Sequence, residues 1–251
     1  MLLLLQYDGS AFAGWQRQPS DRTVQAELEA ALERLTGQAT RVIGAGRTDA
    51  GVHALGQAAA ATVPESWQPA ELVRALNALL PSDVWVASAL RMRPGFNPRR
   101  DATERTYCYR LGLDAAARSP FRRRWEWAVP QPLDELLLAR AAALLCGEHS
   151  FRALSAVGQE KPHYRCHIYE SLWQQRDDGA GCEYWITADR FLHHMVRFLV
   201  GVMVDIGKGR RPLEDLAMLL ATDDNQQASQ PAPAHGLFLV NVRYPKECYA
   251  E

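Results

Sequence analysis

The chain has 251 residues, 47% of them apolar, and a formal net charge of −1. That is ordinary for a globular protein with room for one large domain or two of common size. No apolar run reaches the length of a membrane helix, which excludes a helical membrane span, and bulk charge gives no sign of a nucleic-acid binder.

Residues 2–7 form an apolar run that predicts a buried first strand, stopped by the turn signal Asp8-Gly9. Five apolar residues with no basic residue before them suit a strand, not a signal peptide. Residues 10–19 read as a loop carrying Phe12, Trp15, Gln16 and Arg17. Thr23 caps a helix whose Val24, Leu28, Ala31, Leu32 and Leu35 keep helical spacing and which Gly37 ends. Residues 40–43 and 54–63 are expected strands around a glycine-rich loop. A helix over 70–80 ends before Pro81, and a strand follows at 84–89. This is the β-α-β-β-α-β order of a ferredoxin-like half. Beyond a joining segment at 90–102, strands are expected at 105–113, 163–173, 182–188 and 236–244. Helices are expected at 134–145, 191–206 and 213–220. The fold class is therefore α+β: two related ferredoxin-like (RRM-like) α/β halves, residues 1–95 and 96–251, joined into a mostly antiparallel sheet with flanking helices.

Charge is unevenly placed. The cations are 25 arginines and three lysines (Lys161, Lys208, Lys246), and ten of the arginines fall between Arg91 and Arg124 against three acids. Such a band is either a solvated face or one wall of a charged cleft. Five cysteines without a CxxC suit a reducing compartment, the cytoplasm, better than a disulfide framework. His163, Cys166, His167 and Cys182 match no standard zinc spacing.

Three positions carry possible chemistry. Asp49 stands at the apex of Gly44-Ala-Gly-Arg-Thr-Asp-Ala-Gly-Val-His53. A carboxylate there is commonly only a turn former. With Arg47 two residues away it is held ionised, and an oriented carboxylate can act as nucleophile or general base. No second carboxylate lies near it, and the glycines match neither a dinucleotide fingerprint nor a P-loop. Tyr107 shares a strand face with Tyr109, beside Arg105; it is either core or a stacking platform for a base. Arg197, on the apolar run after His193-His194, either snorkels to solvent or meets a buried anion. The histidine pair, read as helical, points its rings to different faces, so solvent or phosphate contact is expected rather than a metal.

Taken together these pieces resemble the tRNA pseudouridine synthase A family. The match lies in Tyr7-Asp8-Gly9, Gly14-Trp15-Gln16-Arg17-Gln18, Gly46-Arg47-Thr48-Asp49-Ala50-Gly51-Val52-His53, Arg105-x-Tyr107-x-Tyr109, His193-His194-Met195-Val196-Arg197 and Gly236-Leu237-x-Leu239. The motifs keep the family's order nearly end to end. The resemblance implies that Asp49 is the essential aspartate and that Tyr107 stacks on the target uracil. It further implies that Arg197 pairs with the aspartate and that Arg47 helps displace the nucleotide. It implies a homodimer with a central basic cleft, no cofactor and no metal. The substrate would be the tRNA anticodon arm, at uridines 38, 39 and 40. Arg17, Arg99, Arg105, His193 and His194 are candidate RNA contacts. Two departures stand out: Phe96-Asn97-Pro98-Arg99-Arg100 where relatives commonly read Phe-His-Ala-Arg-Phe, and Phe198 in place of a frequent asparagine. The competing class is a non-catalytic tRNA-binding or chaperone protein on the same scaffold, which would not need Asp49.

Overall fold

The computed structural model describes residues 1–156 and 163–250. The chain is a mixed α/β protein with mostly antiparallel strands, and it divides into two compact units. One comprises Met1–Arg105 with Phe238–Glu251, the other Thr106–Leu237. The division falls beyond the expected joining segment at 90–102, and the last strand returns to the first unit.

In the first unit the predicted order is observed: β1 (Leu2–Tyr7), α1 (Val24–Thr36), β2 (Ile43–Gly44), β3 (His53–Ala60), α2 (Pro69–Leu79) and β4 (Val84–Leu90). Its sheet runs β4-β1-β3 and ends on β10 (Leu237–Arg243), with β2 paired to β3. β1 is antiparallel to both neighbours, while β10 joins β3 in parallel. A central strand is covered on both faces, which is why Leu2, Leu3 and Leu5 are all buried and β1 reads as a continuous apolar run. Helix α1 starts where Thr23 accepts the Ala26 N–H and stops at left-handed Gly37. Its Leu28 and Leu32, with Leu72 and Leu76 of α2, are fully buried. Truncating one such leucine to alanine costs about 2–5 kcal/mol. Asn77 of α2 bonds both the N–H and the C=O of Val86, so the edge strand β4 is capped by a side chain.

One expected strand is nearly lost. Residues 40–43 were to pair along their length, but only Ile43 and Gly44 do so. The Val42 N–H goes instead to Glu29 Oε1 (3.0 Å) and its C=O to Gln25 Nε2 (3.0 Å). Two polar side chains of α1 thus take the backbone groups a ladder would have used.

The second unit holds most of β5 (Glu104–Gly112), then β6 (Trp127–Ala128), α3 (Glu135–Ala143), β7 (Gly147–Ser150), β8 (Arg165–Gln175), β9 (Gly181–Ala188), α4 (Met195–Gly207) and α5 (Glu214–Ala221). Its strands lie in the order β5-β9-β8-β7, with β6 on β5. The two-residue β6 and four-residue β7 are too short to show an alternating pattern. α4 is buried on almost every side, from Leu199 and Val200 to Ile206. It begins at Met195, not at residue 191, because His194 takes a left-handed φ of 60° and breaks the helical run. The His193-His194 pair therefore precedes the helix, and its rings lie against each other at 3.9 Å. Among the described residues no helix is long and apolar enough to cross a membrane.

Candidate active site

The Asp49 loop is held from below by the segment that follows β1. Trp15 N–H donates to Thr48 O (3.1 Å), and Gly51 N–H to Phe12 O (3.3 Å). Tyr7 and Thr48 share a hydroxyl–hydroxyl bond of 2.8 Å, while Gln57 Nε2 donates to Gly46 O (2.9 Å). Val52 N–H closes the turn on Asp49 O at 3.1 Å. The result presents Asp49 half-buried and Arg47 exposed, with Thr48 between them turned inward. Burial pushes the Tyr7 phenol up to about 12, so it remains a neutral hydroxyl bonded to Thr48 at any ordinary pH.

Close approach makes Gly14 necessary. Its φ is +100°, and a Cβ there would sit 2.7 Å from Thr48 O. Of the loop's own glycines, Gly51 alone uses a positive φ (78°). Gly44 serves instead as a seat for the Trp15 indole, which a Cβ would meet at 2.6 Å. Tyr7→Phe deletes the Thr48 bond of this frame, with a long one from Gln57 Nε2 (3.5 Å), and should cost about 1 kcal/mol of stability, read by denaturant unfolding. Stability equal to wild type would show that the bond does not hold the loop.

Three arginines gather on this side of the first unit. Partial desolvation, and after it the charges of Arg47 and Arg105, hold the Arg99 guanidinium below its usual range. Arg105 is buried and donates to Arg99 O (2.7 Å), Ala102 O (3.3 Å) and Ala45 O (3.4 Å). It is therefore a tie between the start of the Asp49 loop and the 99–102 segment, not an exposed RNA contact. The departing motif is a turn closed by Asn97 and tied to its surroundings. Asn97 Oδ1 accepts the N–H groups of Arg99 and Arg100 (3.0 and 3.1 Å), and Pro98 O accepts the Tyr244 hydroxyl (2.8 Å). Together these bonds present Arg99 to solvent. Arg17 is mostly exposed and rests on Glu29 at 3.0 Å.

The remaining predicted residues belong to the second unit. Tyr107 is buried on β5, with its ring edge-on to Phe191 at 5.0 Å and 82°. Tyr109, two residues on, is core: fully buried, with its hydroxyl on Pro233 O at 2.7 Å. Arg197 lies in the first turn of α4. Its Nε donates to Ala232 O (2.7 Å) while its own carbonyl accepts the Ala232 N–H (2.9 Å). That pair of hydrogen bonds to Ala232 is possible because Gly201 lets the 230–232 segment pass; a Cβ there would meet Gln230 O at 2.2 Å. Burial, with Arg197 adding its positive charge, holds His235 below its usual value.

The structure therefore brings Arg47, Arg99 and Arg105 together on the first unit and places Tyr107, Arg197, His193 and His194 on the second. The residues that sequence reading did not single out are the supports: Thr48, Gln57 and Phe191. Gln57 had one legible signal, a lone polar side chain inside the small apolar run of β3, where it is fully buried.

Comparison with known proteins gives the family. A model described as tRNA pseudouridine synthase matches residues 4–93 and 141–245. The tRNA pseudouridine synthase A of Myxococcus xanthus is 41% identical over 242 residues, 96% of this chain and 91% of that protein. That of Moorella thermoacetica is 40% identical over 249 residues, covering 96% and 98%. That of Thermus thermophilus is 41% identical over 251 residues, covering 98% and 97%. The family model matches more than half of the chain, the relatives cover nearly all of it at about 40% identity, and the chain therefore belongs to the tRNA pseudouridine synthase family.

Proposed function

We propose that this chain is a tRNA pseudouridine synthase acting on the anticodon arm, at uridines 38, 39 and 40, with Asp49 as its catalytic carboxylate. The observation that carries the reading is a half-buried acid on a tightly framed loop whose cationic neighbours are Arg47, Arg99 and Arg105. A protein that only held RNA phosphates would be weakened by a carboxylate in that setting. An isomerase that works at a sugar carbon needs one.

The reaction breaks the N1–C1′ bond of uridine, turns the base and forms a C5–C1′ bond. The proton lost from C5 is balanced by one gained at N1, so no co-reactant is consumed. The nucleotide must first leave the stack, at a cost of a few kcal/mol. Arg47, exposed at the loop apex, is the side chain we assign to the vacated space. Asp49 then serves as nucleophile at C1′ or as base at C2′; either role requires the ionised carboxylate. Tyr107 as the stacking ring and Arg197 as the partner of the carboxylate are roles assigned from their motif positions. Phe191, edge-on to Tyr107, sets the plane of that ring. Arg99 and Arg17 are assigned to phosphates. The enzyme is proposed to work as a homodimer in the cytoplasm without cofactor or metal.

The test is carbodiimide-adduct primer extension on unmodified tRNA incubated with the protein. Stops at uridines 38 to 40 are expected, unchanged by chelator. Absence of any new stop would overturn the reading. In the same assay Tyr107→Phe should leave tRNA affinity within about twofold, since a phenyl ring stacks as well as a phenol. Tyr107→Ala should lower kcat/KM by about tenfold or more, the worth of one base–aromatic stack. Equal kcat/KM for the alanine variant and wild type would remove Tyr107 from the site.

A further inference from the structure

The segment between β5 and β6 ends in a tip, residues 118–125, with an unusual surface. Phe121 is 88% exposed, more than any other large apolar side chain among the described residues. Around it Arg118, Arg123 and Arg124 are exposed, and no acid occurs between residues 115 and 125. Arg124 also reaches over the Trp125 ring at 5.4 Å.

The tip is not a loose loop. Arg122 N–H and Arg123 N–H both donate to Ser119 O (3.1 and 2.9 Å), and Trp125 N–H to Arg122 O (2.8 Å). Below it a buttress of charges is internally balanced. Arg122 turns inward to Asp114 (2.8 Å) and to Glu126 (2.7 Å). Glu126, only 3% exposed, also pairs with Arg176 from the β8–β9 turn. Gly112 makes room for that carboxylate, which a Cβ would meet at 2.6 Å. Arg122 is thus spent on structure, while Arg118, Arg123 and Arg124 lie on the surface beside a phenyl ring carried on a hydrogen-bonded turn.

We propose that this tip is a second RNA-binding element, with Phe121 stacking on an unpaired tRNA base and Arg118 and Arg123 on its flanking phosphates. A ring that keeps its face in water while held by a hydrogen-bonded turn is suited to a stacking partner. The surrounding charge selects a polyanion. A tip-to-tip contact with a second copy fits poorly, because a two-fold axis there would set these arginines against themselves. The inference rests on the tRNA reading above and adds a contact site to it.

Full-length protein and an unmodified tRNA transcript test it, with affinity measured at several salt concentrations. Phe121→Ala is expected to weaken tRNA binding about tenfold, and Phe121→Trp to restore it. Arg118→Ala combined with Arg123→Ala should reduce the slope of log affinity against log salt by about 1.5. Turnover at saturating tRNA should stay at the wild-type value in all three, and sedimentation without RNA should show an unchanged mass. Affinity and salt slope equal to wild type would overturn the proposal. So would a change in mass, which would make the tip a contact between copies. If the wild-type protein forms no pseudouridine but Phe121→Ala still loses affinity, the catalytic reading falls and this one stands.

Discussion

Asp49→Asn should reduce pseudouridine formation to background, at least about 10³-fold, or roughly 4 kcal/mol of transition-state stabilisation. The substitution keeps the shape of the side chain and the backbone carbonyl that receives Val52 N–H at 3.1 Å, so the loop should fold as before. It removes the negative charge and replaces one carboxylate oxygen by an amide donor. Because a carboxylate repels the phosphates that Arg99 and Arg17 are assigned to hold, tRNA should bind the variant as well as wild type, or more tightly. Primer extension after carbodiimide treatment reads the chemistry, and filter binding reads the affinity. A variant that modifies tRNA at the wild-type rate would remove Asp49 from the mechanism. One that loses both activity and binding would make it a structural residue of the loop.

Gly14→Ala carries the second large effect, and it acts on the same carboxylate from beneath. A left-handed φ of +100° is costly for any residue with a Cβ, about 1–2 kcal/mol. The new methyl would also lie 2.7 Å from Thr48 O and 3.1 Å from the Asp49 carbonyl carbon, so the Trp15–Thr48 bond must open. Losing that bond adds about 1 kcal/mol. The sum, about 2–3 kcal/mol, corresponds to a fall in Tm of about 5–10 °C for a chain of this size. Activity should fall further than stability explains, since the displaced atoms carry Asp49. Gly37→Ala is the control: its φ is +70°, but nothing lies within 4 Å of a Cβ there. It should cost about 1 kcal/mol and leave kcat intact. If the two variants behave alike, the Gly14 contact does not position the loop.

The helices of the first unit were legible because their evidence is local. Thr23, the spacing of Leu28 and Leu32, and Gly37 lie within 15 residues of one another, and they place α1 within a residue of its observed ends. The same is true of the Asp49 loop, whose motif is contiguous and whose resemblance to a family covers nearly the whole chain. Where local evidence misled, a distant partner or a single dihedral was responsible. The pattern at 191–206 is apolar enough for a helix throughout, yet one left-handed residue, His194, delays the start to Met195. The arginine band from 91 to 124 looked uniform, and its members do different work. Arg105 is buried on three carbonyls, Arg122 is locked against Asp114 and Glu126, and Arg99 and Arg123 face solvent.

From its residues alone this protein had a set of α/β elements, a family resemblance and a carboxylate at the apex of a glycine-rich loop. Apolar period, caps and contiguous motifs need only near neighbours, so they can be read along the chain. What tertiary structure decided is how that carboxylate is held. Gln25 and Glu29 took the backbone of Val42 from a strand, Tyr7 reached Thr48 across 41 residues, and Gly14 proved necessary because another stretch of backbone passes 2.7 Å away. Hydrogen bonds between distant segments, and the space each leaves for the other, have no period in the sequence. They exist only once the chain has folded back on itself.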